Sequence, residues 1–123
     1  MPLIAKFEDI QAWQEARTLN RQIYELTCVG AFSHDFGLRD QIRRAAVSSM
    51  TNIAEGFDCE SKAEFGRFLG IARRSAVEVQ SLLYVALDAG FIDSPIFNKE
   101  YEQARKTKAL IGGFRRSLTR PDT

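Results

Sequence analysis

Histidine, cysteine and proline are all scarce in this chain, and each scarcity removes a class of reading. A lone histidine, His34, cannot supply the Glu-x-x-His pairs on two helices that build a carboxylate metal centre inside a helical bundle. The two cysteines, Cys28 and Cys59, are too few for a zinc site of their own. They fall after the first and second predicted helices, about 30 Å apart along some 20 residues of helical rise, so free thiols are expected rather than a disulfide. Three prolines, Pro2, Pro95 and Pro121, leave long stretches free to be helical. No apolar run approaches the roughly 18 residues needed to cross a bilayer, and the opening residues lack the layout of a secretory signal. A cytoplasmic protein without a membrane partner is the expectation. Seventeen bases against sixteen acids give a formal charge of +1, which excludes an all-round polycation but not a local basic patch.

What is present is helical periodicity. Four helices are expected, over about 10–28, 37–57, 61–89 and 95–118, within a single domain of 123 residues with a frayed tail over 119–123. Trp13, Ala16, Leu19, Ile23 and Leu26 form a stripe on the first, and Leu38, Ile42, Ala45, Ala46, Ser49 and Ile53 on the second. Ser61 and Glu64 have the spacing of a capping box at the start of the third, and Gly90 suits its left-handed end. Ser94 followed by Pro95 opens the fourth. Inside that helix Gly112-Gly113 costs about 1–2 kcal/mol of propensity, so a bend or fraying is expected there. Gly66 and Gly70, mid-helix in the third, suggest close packing. No segment alternates with a period of two. Short connections between helices then give an all-α, up-down-up-down antiparallel four-helix bundle.

The second and third helices have more apolar surface than one bundle hides. The apolar arc of the third spans about 160°, against roughly 100° for a core-facing stripe, with Val77, Tyr84 and Val85 outside even that. Met50, Phe57, Ile71 and Leu82 are therefore candidate contacts between copies, and a homo-oligomer is expected.

Catalysis lacks its parts: one histidine, no nucleophile elbow and no glycine-rich phosphate loop. The expected class is non-enzymatic, with no cofactor and no metal. Charge patterning is more informative. Arg105, Lys106, Lys108, Arg115, Arg116 and Arg120 form a segment of +6 without an acid, whereas residues 1–104 sum to −4. This basic segment either complements a helix dipole and solvates an outer face or gathers phosphate. Arg43 and Arg44 on the second helix, and Arg67, Arg73 and Arg74 on the third, either bridge to Glu55, Glu64 or Glu78 or join the same surface. Binding of RNA or DNA would then be directed at the backbone and sensitive to salt. Glu55 in the last turn of the second helix opposes its dipole, so a structural clamp to an arginine or a backbone N–H is expected there.

The run Arg43-Arg44-Ala45-Ala46-Val47-Ser48 leads into Asn52-Ile53-Ala54-Glu55-Gly56 and then Ser61-Lys62, Glu64-Phe65 and Arg67-Phe68-Leu69. Together with Phe7-Glu8-Asp9-Ile10 and Trp13-Gln14 it resembles the four-helix bundle proteins encoded in intervening sequences of bacterial 23S ribosomal RNA genes, often labelled S23 ribosomal protein. The resemblance implies a ring-like homopentamer. The sequence is also similar to the accessory variability determinant of diversity-generating retroelements, a basic pentameric bundle that works with a reverse transcriptase and nucleic acid. Ser49-Met50 departs from the family's common Ile-Pro pair, and the near-neutral total charge departs from the basic relative. The expected function is a homo-oligomeric binding scaffold with RNA or DNA as its partner. The alternative is a scaffold for another protein with no nucleic acid involved.

Overall fold

The computed structural model describes residues 4–119 and consists of four α-helices, with no strand among the described residues. They are α1 (Gln11–Thr27), α2 (Phe36–Phe57), α3 (Lys62–Asp88) and α4 (Ser94–Leu118). Short 3-10 turns at Phe7–Asp9 and Ala31–His34 precede α1 and α2. Observed helix ends differ from those expected by about a residue. Arg120 and the rest of the tail, 120–123, lie outside the described residues.

Local chemistry accounts for the starts and stops. The side chain of Asp35 caps α2 by accepting from the Leu38 N–H at 3.1 Å. Ser61 caps α3 by accepting from the Glu64 N–H at 3.1 Å. Only this half of the expected capping box forms, because the Glu64 carboxylate turns instead to Arg67 at 3.2 Å. The α4 cap is Asp93 rather than Ser94: its carboxylate accepts from the Ile96 N–H at 3.0 Å, and Ser94 is already inside the helix. Gly90 takes φ +79°, a conformation that lets the Phe91 N–H reach Ala86 O at 2.9 Å and the Gly90 N–H reach Leu87 O at 3.0 Å. That pair closes the last turn of α3 as a Schellman motif. The fraying expected at Gly112-Gly113 does not occur, since α4 runs unbroken through both glycines.

Each helix packs against its chain neighbours, and α1 also packs against α4, closing the circuit. Two apolar clusters fill the interior. One joins Leu19 and Ile23 of α1, Leu38 and Ile42 of α2, Val79 and Leu83 of α3, and Phe97 of α4. The other joins Trp13 and Ala16, Ile53, Leu69 and Ala72, and Ile111. Between them along α2, α3 and α4 fall buried Ser49, Ser75 and Thr107. Ser75 donates to the Ser48 hydroxyl at 2.8 Å, and Asn52 donates to that same hydroxyl at 2.9 Å, linking α2 to α3 through side chains.

The contact face expected between copies needs correction. Leu82 is only 8% exposed and belongs to the first cluster, while Met50 and Phe57 pack onto the second. Ile71 is half-buried. The wide apolar arcs of α2 and α3 are thus largely covered within one chain. The large apolar side chains that stay exposed on α3 are Val77, Tyr84 and Val85.

At Gly56, buried near the end of α2, a Cβ would stand 2.7 Å from Phe68 Cβ and 2.9 Å from Phe65 Cδ1. Gly56→Ala should therefore destabilise the protein by about 1–3 kcal/mol, the overpacking loss exceeding alanine's helical advantage. Urea unfolding measures it, and an unshifted midpoint would show that α2 and α3 can separate there without loss.

Candidate nucleic-acid interface

Most of the basic residues singled out in the sequence fall into three groups once placed on the helices. The first is neutralised. Arg67 pairs with Glu64 and lies 4.8 Å from the Phe68 ring centre. Arg105 pairs with Glu102, and Lys106 reaches Glu15 at 3.4 Å. The Arg105 hydrogen bond holds the Glu102 carboxyl below its ordinary value. Half-buried Lys108 and exposed Arg74 stand outside any ion pair among the described residues. The +6 segment is therefore not a uniform basic strip.

A second group converges at the seam between α3 and α4. The guanidinium carbon of Arg115 lies 3.1 Å from where a Cβ on Gly70 would stand. One turn of α3 further on, Arg73 Nε lies 3.5 Å from the corresponding point on Gly112, and Arg116 Nη1 lies 3.4 Å from it. Two glycines on facing helices thus provide the space in which three arginine side chains lie. Gly66, by contrast, faces open space, so the close packing expected of the Gly66 and Gly70 pair holds only at Gly70 and involves a side chain. None of Arg73, Arg115 and Arg116 has an acidic partner among the described residues. With no acid beside them, these side chains leave the seam positively charged, and an anion set against it would be attracted.

The third group lies on α2. Arg43 is half-buried; its Nε donates to Thr27 Oγ1 at 2.7 Å, and its guanidinium lies 4.5 Å from the Tyr24 ring centre. Exposed Arg44 follows it. The salt bridges expected for the inner arginines form only at Arg67, since Glu78 accepts from Gln41 instead. Glu55 is exposed and has no side-chain partner among the described residues, so the clamp expected there is not formed. A carboxylate facing solvent at a helix end needs no partner, because water solvates it. Asn52 and Gly56 from the same run serve the α2–α3 contact described above.

His34 is exposed at the end of its 3-10 turn, and Cys28 and Cys59 are free thiols. Among the described residues no three His, Cys, Asp or Glu side chains gather as a metal-holding group, and no helix is long and apolar enough to cross a membrane.

A family model described as 23S rRNA-intervening sequence protein matches residues 8–113. The chain belongs to that family. Among solved structures, it is similar to a protein of unknown function from the S23 ribosomal protein family of Bacteroides thetaiotaomicron VPI-5482. The TM-score is 0.78 at 19% identity, over 85% of this chain and 95% of that one. At that identity the likeness shows a shared fold. No curated protein matches the chain. The matched region of the family includes Arg43, Arg44 and Arg73 and ends at Gly113, so Arg115 and Arg116 lie just beyond it.

One functional-looking group was missed in the sequence. Glu100 is only 4% exposed, its Oε1 has no hydrogen-bond partner, and Lys99 Nζ lies 3.9 Å from the other oxygen. The spacing Phe97, Glu100, Ala104, Thr107, Ile111 places it on the inward stripe of α4, which is the signal that finds it. Burial pushes the carboxyl pKa up, against the pull of Lys99 and with a further push from Glu25. A raised native value means that the folded chain holds this proton more tightly than the unfolded chain does. The resulting stabilisation is complete below the ordinary value of 4.5 and is lost as pH rises through the native one. Glu100→Gln, fixed neutral, should raise the thermal midpoint at pH 7, with the gain shrinking as pH falls below the ordinary carboxylate range. A gain of equal size at all pH values would assign the effect to packing instead.

Proposed function

We propose that the chain is a non-catalytic cytoplasmic scaffold, an up-down-up-down four-helix bundle that assembles as a ring-like homopentamer and binds RNA or DNA backbone. The observation that carries this reading is the convergence of Arg73, Arg115 and Arg116 over Gly70 and Gly112 with no acidic partner among the described residues. Guanidinium groups present several donors in a planar fork suited to phosphate oxygens. The family description names the 23S rRNA intervening sequence, which makes RNA the first ligand to test.

The up-down order is supported by the composition of the two apolar clusters. The end of α1 meets the start of α2, the end of α3 and the start of α4 in one, and the opposite ends meet in the other. Assembly is supported by Val77, Tyr84 and Val85, which stay exposed along the outer side of α3. Ring formation would repeat the seam around an axis and pool its charge, giving a local field that a net charge of +1 conceals. The same exposed side chains favour a second reading, in which they receive another protein and nucleic acid plays no part.

Electrophoretic shift with a generic single-stranded RNA at about 50 and about 200 mM salt separates the two readings. The binding reading expects a shift at low salt that fades at high salt. Replacing Arg73, Arg115 and Arg116 together by Ala should make the log–log salt slope shallower by about 2 per protomer. Gly70→Ala should weaken binding as well, by displacing Arg115, while leaving the helical circular dichroism unchanged. No shift at low salt leaves the protein-scaffold reading standing. For assembly, light scattering should give about five times the chain mass of 13.9 kDa, and a monomer mass at micromolar concentration would overturn the ring.

A further inference from the structure

A groove of about 680 Å³ runs between α1 and α2, bordered by Tyr24 on α1 and by Asp40, Arg43, Arg44, Val47 and Ser48 on α2. That volume falls within the roughly 300–1,000 Å³ of small-molecule sites. The groove lies on a different pair of helices from the α3–α4 seam and differs from it in kind, because it joins an aromatic ring to its cations.

The parts are held in place before any ligand arrives. Thr27, fully buried, donates its hydroxyl to Ile23 O at 2.7 Å and accepts from Arg43 Nε at 2.7 Å. Arg43 is thereby fixed 4.5 Å from the Tyr24 ring centre, and neither of its terminal nitrogens has a partner among the described residues. Tyr24 remains 41% exposed despite that contact. Arg44 is exposed and has no acidic partner among the described residues, and the carboxylate that borders the groove, Asp40, is engaged by Arg39 Nε at 2.9 Å. The groove therefore offers an accessible aromatic surface, a guanidinium laid on it, and a second guanidinium beside it. An aliphatic anion would use the charges and waste the ring; a neutral aromatic would do the reverse. A ligand with a planar π-face and a negative group uses both.

We propose that this groove binds one unpaired nucleotide, with its base against the Tyr24–Arg43 pair and its phosphate on Arg44. Bases in a duplex present their edges and keep their faces stacked, so a site built on a ring surface selects single strands or free nucleotides. The proposal extends the backbone-binding reading above to a second surface and stands on other residues.

Adenosine 5′-monophosphate, a five-nucleotide oligoadenylate and an RNA duplex, each titrated against the full chain by calorimetry, test it. Saturable binding of the mononucleotide identifies a free nucleotide as the ligand, and binding of the oligonucleotide alone identifies a strand. In either case Tyr24→Ala should weaken binding by about 5- to 100-fold, Tyr24→Phe should retain it, and Arg44→Ala should weaken it about tenfold. Replacing Arg73, Arg115 and Arg116 by Ala should lower duplex affinity while leaving mononucleotide affinity unchanged, so failure of one site is read separately from failure of the other. The proposal is overturned if neither the mononucleotide nor the oligoadenylate binds saturably, or if Tyr24→Ala binds them as the unaltered chain does.

Discussion

The packing of α2 against α3 is the contact on which the other elements depend. At one end Gly56 allows Phe65 and Phe68 to approach the α2 backbone. Midway, Ser75 of α3 donates to the Ser48 hydroxyl of α2, which also accepts from Asn52 on its own helix. Toward the other end, Ile42 meets the stripe through Val79 and Leu83. Because α3 is held along this length, its far side offers α4 a fixed surface, and Gly70 and Arg73 occupy defined places on that surface. The arginine cluster is in this sense a product of helix packing: it needs a glycine on each of two helices, opposite the right side chains.

Charge in the molecule is organised by pairing more than by composition. Glu64, Glu102 and Glu15 remove three cations from the solvent-facing pool, and Asp40 occupies Arg39. Exposed pairs of this kind contribute little stability, since solvent screens them and ordering two long side chains opposes them. Their effect is on the field. They leave the unpaired guanidinium groups of Arg73, Arg115 and Arg116 at the seam, and those of Arg43 and Arg44 beside an aromatic ring. Two surfaces with guanidinium groups free of acidic partners result from a chain whose acids and bases nearly cancel.

The helices were legible in the sequence because stripes such as Trp13, Ala16, Leu19 and Ile23 report directly which side of a helix is buried. Ser61 and Gly90 marked the two ends of α3 for equally local reasons. Where a feature depends on the partner across the interface, local reading failed. Leu82 looked surplus on its own helix and is covered by the first cluster, while Glu55 looked in need of a clamp and is satisfied by water. Gly112-Gly113 looked like a weak point, yet the continuous helix there accommodates Arg73 and Arg116. Tyr24 and Glu100 were overlooked for the same reason. The aromatic acquires its interest from Arg43 on another helix, and the carboxylate from the burial that α4 undergoes against its neighbours.

The hydroxyl contact between Ser48 and Ser75 also governs axial offset. Apolar side chains repeat every turn, so a hydrophobic seam alone tolerates slippage of one helix along the other by about 5.4 Å. Moving α3 by that amount would break the Ser75–Ser48 hydrogen bond while Ser75 kept its bond to Ile71 O at 3.0 Å, a loss of about 0.5–1.5 kcal/mol. The serines thus act as a detent that selects one longitudinal setting out of several that grease alone would accept.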